Sequence, residues 1–202
     1  MKKREELEKP IASQLGHMLA DHFGRGPRAI HVQIVFPFVV VHLNDFLAPM
    51  EDVLLRQGDT HQVEQIREQM MAEIAPSITK LLETELNVNV SHIHYDWNFR
   101  PPDDCTGCIW AVMDMPKEQH DSLAWPTNVS TKMLHRQIQT MSVEAQRQPD
   151  DIQFFWLGKQ ALLVERTGIF LAIEKELMNY GHEETLKVVK RPLEKKYLIE
   201  TG

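Results

Sequence analysis

One segment occurs twice in this chain. Residues 45–58 read DFLAPMEDVLLRQG, and residues 168–181 read GIFLAIEKELMNYG. Shifted by 123 positions, Glu51 falls on Glu174, Leu54 on Leu177, Leu55 on Met178 and Gly58 on Gly181. Each copy follows two short apolar runs. Each also precedes a helical stripe, Val63, Ile66, Met70 in one case and Leu186, Val189, Leu193 in the other. A repeat of this kind constrains the fold more than composition does. Each copy must form the same small unit, and a unit that small buries little core alone.

Periodicity supplies the elements. Ile11, Leu15, Met18, Leu19 and Phe23 line one face of a helix over residues 5–23, with Pro10 in its first turn or at a break before it. The GRGP turn at residues 24–27 ends that helix, since glycine reaches the left-handed cap conformation cheaply. Ile30, Val32, Ile34 and Phe36 alternate as in a half-buried strand, and residues 38–43 read as a strand covered on both faces. The repeated segment is a short helix with Pro49 in its first turn. A longer helix over 60–85 follows, striped by Val63, Ile66, Met70, Ile74, Ile78, Leu81 and Leu82, with a kink expected at Pro76. Apolar parity changes along 88–99, even at Val88 and Val90 and odd at Ile93, Tyr95, Trp97 and Phe99, so a bulge is expected near Ser91. Residues 100–106 read as a turn and 109–115 as the next strand. The second copy supplies a helix over 129–147, a hairpin over 152–164 and a last helix, with no counterpart of the 88–115 hairpin. The expected class is α+β: two repeated α-β-β-α-α units, 1–115 and 129–202, joined by a linker at 116–128. The first unit is extended by an additional C-terminal β-hairpin.

Several function classes recede on composition. With 43% hydrophobic and 25% charged residues the chain is ordinary globular material. A formal charge of −7 disfavours a nucleic-acid partner, whose phosphates need a basic surface. No apolar run approaches the roughly 20 residues that cross a bilayer, so no membrane insertion and a cytoplasmic location are expected. No nucleophile elbow, HExxH, Walker or dinucleotide motif is present.

The residues with chemical potential are few. Cys105 and Cys108 have a spacing that suits one zinc ion or a redox disulfide, and His92 and His94 alternate on one strand face shared with Asp96. His92, His94, Cys105 and Cys108 are therefore the candidate metal ligands. One CxxC without a second pair is a weak signal, so reduced, inert thiols at a strand entrance and no cofactor are preferred, with zinc as the alternative. Arg25 in the GRGP turn could meet an anion, but a helix C-terminus has the wrong dipole sign, which favours cap and turn. Glu51 and Glu174 sit in first helical turns, where favourable interaction with the dipole accounts for them at about 0.3–1 kcal/mol each.

Taken with the repeat, the GRGP turn, the paired apolar strands and the LAPME element at 47–51 make the chain resemble the MpsC family. That family is named for a sodium-translocating, membrane-potential-generating system. The resemblance runs through the long helix after Thr60 to Asp96, with the second half as a diverged, truncated copy. Two positions depart from the family pattern: Asp45 stands where glycine is usual, and Ala48 where threonine is. The CxxC is not part of the pattern. The resemblance implies a soluble, non-enzymatic accessory or regulatory protein of a membrane cation or inorganic-carbon (bicarbonate) transport system, with a membrane transporter subunit as partner. It supplies no catalytic residues. The alternatives are a small-molecule or metal sensor with a site between the repeats, or an enzyme of unknown type. The apolar run 38–41 and the row Tyr95, Trp97, Phe99 further predict a homo-oligomer, read as a homodimer.

Overall fold

The computed structural model describes residues 4–100, 104–121, 123–158 and 161–201. It is α+β and divides into two compact units, residues 1–122 and 123–202. In the first, α1 (Arg4–Phe23) buries Ile11, Leu15, Leu19 and Phe23, the stripe its periodicity demanded. Pro10 lies inside the helix, not in its first turn; its ring is exposed, so it forfeits one backbone bond without a burial cost. β1 (Ala29–Val35) and β2 (Phe38–Asn44) form a hairpin. The repeated segment is α2 (Pro49–Arg56), and α3 (Thr60–Leu86) is capped by Asp59, whose carboxylate accepts from the Gln62 amide. Then come β3 (Val90–Arg100) and β4 (Asp104–Met113).

The sheet is antiparallel, in the order β1-β2-β4-β3. The register shift between Val90 and His92 is the irregularity that the change of parity required. α1 packs on β1 and on α3, and α3 packs on β3. The helix-side core contains Val32, Val39, Val41, Ile109 and Trp97.

Three expectations need correcting. β4 begins at Asp104, so residues 104–106, read from sequence as turn, are strand. Flanked by β2 and β3, β4 pairs through them with Asn44 and with Arg100, Phe99 and Asn98; a shorter strand would leave those backbone groups unpaired. The Pro101-Pro102 turn itself lies outside the described residues. Secondly, α3 is rotated from the expected stripe. Its buried line is Val63, Arg67, Met71, Ile74, Ile78 and Leu82, with Ile66 and Met70 only partly covered. Thirdly, the surface invoked for self-association is internal. Phe38, Val39, Val40 and Val41 are buried, Trp97 is 1% exposed, and Tyr95 and Phe99 pack against the same core.

The second unit contains α4 (Thr131–Ala145), β5 (Asp151–Trp156), β6 (Leu162–Thr167), α5 (Ala172–Asn179) and α6 (Glu183–Thr201), with β5 and β6 antiparallel. This is the order of the first five elements of the first unit. The segment read as linker is anchored at both ends. Asp121 accepts from the Phe36 amide at 2.7 Å and pairs with Arg4, and Trp125 donates to the Val129 carbonyl.

Candidate functional site

The CxxC motif is a strand sequence, and that decides its geometry. Positions three apart on a strand face opposite sides. Cys105 pairs with Phe99 and is buried on the helix side, whereas Cys108 pairs with Asp96 and with His42 on the other face. Neither forms a disulfide. Gly107 between them is needed for packing. A Cβ there would lie 2.6 Å from the ring of its cross-strand partner, Trp97. Among the described residues no group of three or more His, Cys, Asp or Glu is placed to hold a metal.

His92, His94 and Asp96 share one face, as strand parity required, and the register adds a row across the sheet that parity alone did not show. His31, His42, Cys108 and Asp96 form one row across all four strands, on the face opposite the helices. His92 and His94 lie on the same face, their rings stacked at 6.1 Å, and His94 stacks on Trp110 at 5.3 Å. Burial lowers the His42 pKa, and the neighbouring His31 adds to that. Burial, with Asp96 beside it, pushes the Cys108 thiol up to about 11. That thiol is neutral at physiological pH and a poor nucleophile or ligand.

The most constrained chemistry lies at the other end of β2, in the loop 45–49. Arg67 is 2% exposed and Glu51 3%. An Arg67 Nη donates to Glu51 Oε2 at 2.7 Å and to the Phe46 carbonyl at 3.2 Å. The guanidinium carbon lies 4.1 Å from the centre of the Phe46 ring, 4.6 Å from Phe23 and 4.7 Å from Trp97. Glu51 Oε2 also accepts from the Ala48 amide at 2.7 Å. Ala48 has no side-chain oxygen, so this reverse bond is the only half of a capping box present at α2. Burial pulls the Arg67 pKa down, opposed by the Glu51 hydrogen bond and charge. The residue stays charged, because guanidinium does not lose its proton in proteins.

The same loop is held from outside by Arg25, which donates to the Leu47 carbonyl at 3.0 Å and reaches Asp45 at 3.3 Å. Arg25 is thus a loop clamp as well as part of the turn. Beside it opens a cleft of about 690 Å³, walled by Arg25, Arg28, Asn44, Asp45, Asp52 and Thr106 among others.

The second unit holds a comparable pair of charges. Glu174 Oε2 accepts from the Leu171 amide at 2.7 Å, and Lys190, at the position matching Arg67, lies 3.4 Å from Glu174 Oε1. The Lys190 ammonium sits 4.6 Å from the centre of the Phe170 ring. Burial pushes the Glu174 pKa up, but the Leu171 amide, Gln146 and Lys190 together outweigh it and hold the carboxyl below its ordinary value. Asp45 and Gly168 also match, both left-handed at φ 49° and 70°. Sequence reasoning credited both glutamates with a dipole role only. It missed the cations because a charge on an apolar stripe reads as surface.

Fold and site together define an α+β protein with a helix-backed antiparallel sheet and a sheet-end loop clamped by buried charge. Among the described residues no helix is long and apolar enough to cross a membrane. The family model described as Na+-translocating membrane potential-generating system (MpsC) matches residues 3–110, just over half of the chain. The protein belongs to that family. Neither curated proteins nor solved structures gave a match.

Proposed function

We propose that this chain is a non-enzymatic accessory or regulatory component of a membrane cation or inorganic-carbon transport system. It would act by association with a membrane subunit rather than by spanning the bilayer. The observation that carries this reading is the family match over α1 to β4. The charged residues at the sheet end support it, because Arg67, Glu51 and Arg25 are committed to holding backbone and one another. A cytoplasmic, homo-oligomeric protein is part of the same proposal. So is descent of the second unit from a copy of the first, which Glu174–Lys190 and the common element order support.

The test is co-purification. The full chain, tagged in its native cell, is recovered from detergent-solubilised membranes, and its companions are identified by mass spectrometry. Enrichment of a multi-spanning transport subunit, lost when the chain is denatured before mixing, is expected. Recovery with no enriched membrane protein would overturn the accessory role. A ligand-sensing reading is favoured by one observation, the cleft beside Arg25 and Arg28.

A further inference from the structure

The cleft is lined by two arginines, Arg25 and Arg28, and two aspartates, Asp45 and Asp52. Asp45 faces Arg25 at 3.3 Å and Asp52 faces Arg56 at 2.8 Å, so both acids on its wall already have cations. Arg25 is itself occupied by Asp45 and the Leu47 carbonyl. Arg28 is exposed on the same wall, and its guanidinium has no hydrogen-bond or ion-pair partner among the described residues. Its backbone is fixed, since the Arg28 amide donates to the carbonyls of Asn44 and Asp45 at 3.0 and 3.1 Å. Among the described residues, then, Arg28 is a cation without a counter-charge, on a backbone held by two hydrogen bonds, in a chain whose formal charge is −7.

Asn44 and Thr106 add neutral hydrogen-bonding groups to the wall. The first turn of α2, which joins the wall through Pro49 and Asp52, already carries the Glu51 and Asp52 carboxylates, so Arg28 and not the helix end is the charged contact. A guanidinium fork binds carboxylate and phosphate oxygens two at a time, which a chloride ion cannot match.

We infer that the cleft is a binding site for a small oxyanion, a carboxylate or phosphate group on a compact polar body, with Arg28 as its charged contact. The inference rests on the ligand-sensing reading and is independent of the membrane partner. Its failure would leave the co-purification result untouched.

The experiment is a titration of the full, ¹⁵N-labelled chain with inorganic phosphate and, separately, with acetate, sodium chloride holding ionic strength constant. Saturable shifts are expected at the amides of Arg28, Ala29, Asn44, Asp45 and Thr106, with half-saturation in the region of ~1–10 mM for so exposed a site. Whichever anion saturates at lower concentration assigns the class. Arg28→Ala should weaken binding about tenfold, and Arg28→Lys, which keeps charge but loses the fork, by less. Unchanged peaks outside the cleft report that each variant is folded, and the milder lysine variant serves if the alanine one is not. Shifts that are linear to ~50 mM, far above the range expected of a site, would overturn the inference. So would shifts equal in sodium chloride, or shifts unaffected at Arg28.

Discussion

Replacing Arg67 by methionine would leave Glu51 in a site where its residue is 3% exposed, with no cation. Two effects add. Removing one partner of a buried ion pair costs about 3–5 kcal/mol, because the remaining charge is desolvated and unpaired. Loss of the aromatic enclosure by Phe46, Phe23 and Trp97 removes up to about 2 kcal/mol more, partly recovered by the methionine's own contacts. Against a total stability of about 5–15 kcal/mol, the expected loss of about 3–6 kcal/mol is close to unfolding the first unit. Glu51→Gln should cost somewhat less, since the amide still accepts from the Ala48 amide. The double variant Glu51→Gln/Arg67→Met should be milder than the sum of the singles by about 2 kcal/mol, since an uncharged interior is no penalty. A chain of two units need not unfold in one step. The assay is therefore native-state hydrogen exchange of β2 and β4 amides, which reads the first unit alone. Lys190→Met supplies an internal comparison in the second unit. Lys190 faces one ring and is 16% exposed, so about 1 kcal/mol is expected there. An Arg67→Met variant losing less than about 1 kcal/mol, or a strictly additive cycle, would refute the reasoning.

Two further outcomes follow from β4. Gly107→Ala forces a methyl against the buried Trp97 ring, a contact of 2.6 Å, and should cost about 1–3 kcal/mol, seen as an earlier thermal midpoint with a weakened near-ultraviolet signal from Trp97. Cys108, held at a pKa of about 11 against an ordinary 9.0, should react with iodoacetamide at pH 8 about tenfold more slowly than an unperturbed thiol, because its much smaller thiolate fraction is partly offset by the greater nucleophilicity of a more basic thiolate. Mass spectrometry of the alkylated peptide checks this, and full labelling within minutes would contradict it.

The element order was legible because helices and strands were written in two clean periods. Ile11, Leu15, Leu19 and Phe23 specify α1, and the parity switch before Ile93 specifies the irregularity in β3. The start of β4 was not legible. Asp104, Cys105 and Thr106 follow two prolines and look like turn. Only the sheet, with β2 on one side and β3 on the other, makes strand the state that pairs their backbone. The site was hidden for a related reason. Arg67 continues the line through Val63 and Met71, but hydropathy reads arginine as solvent-facing. Nothing local signals that Phe23, Phe46 and Trp97, from three separate elements, will close over it. Cross-strand rows such as His31–His42–Cys108–Asp96 exist only once pairing and register are known.

The two glutamates show how two similar loops use different cations. At each, a carboxylate oxygen takes the amide three residues back, which fixes the entry of the short helix and places a negative charge away from water. A buried carboxylate must then be paired or protonated. In the first unit the counter-charge is fully enclosed. A guanidinium is the better solution there, because its planar face is weakly hydrated and accepts aromatic neighbours while its edge still donates to Glu51 and Phe46. In the second unit, Ile169 stands where Phe46 does, and among the described residues the ring contact comes from Phe170. With one ring and partial access to water, an ammonium can keep some hydration and Lys190 suffices. The choice between arginine and lysine thus tracks how many rings surround the cation. Glu51 and Glu174 are parts of the scaffold that holds the sheet-end loop in each unit, each committed to the amide three residues back and to a neighbouring cation.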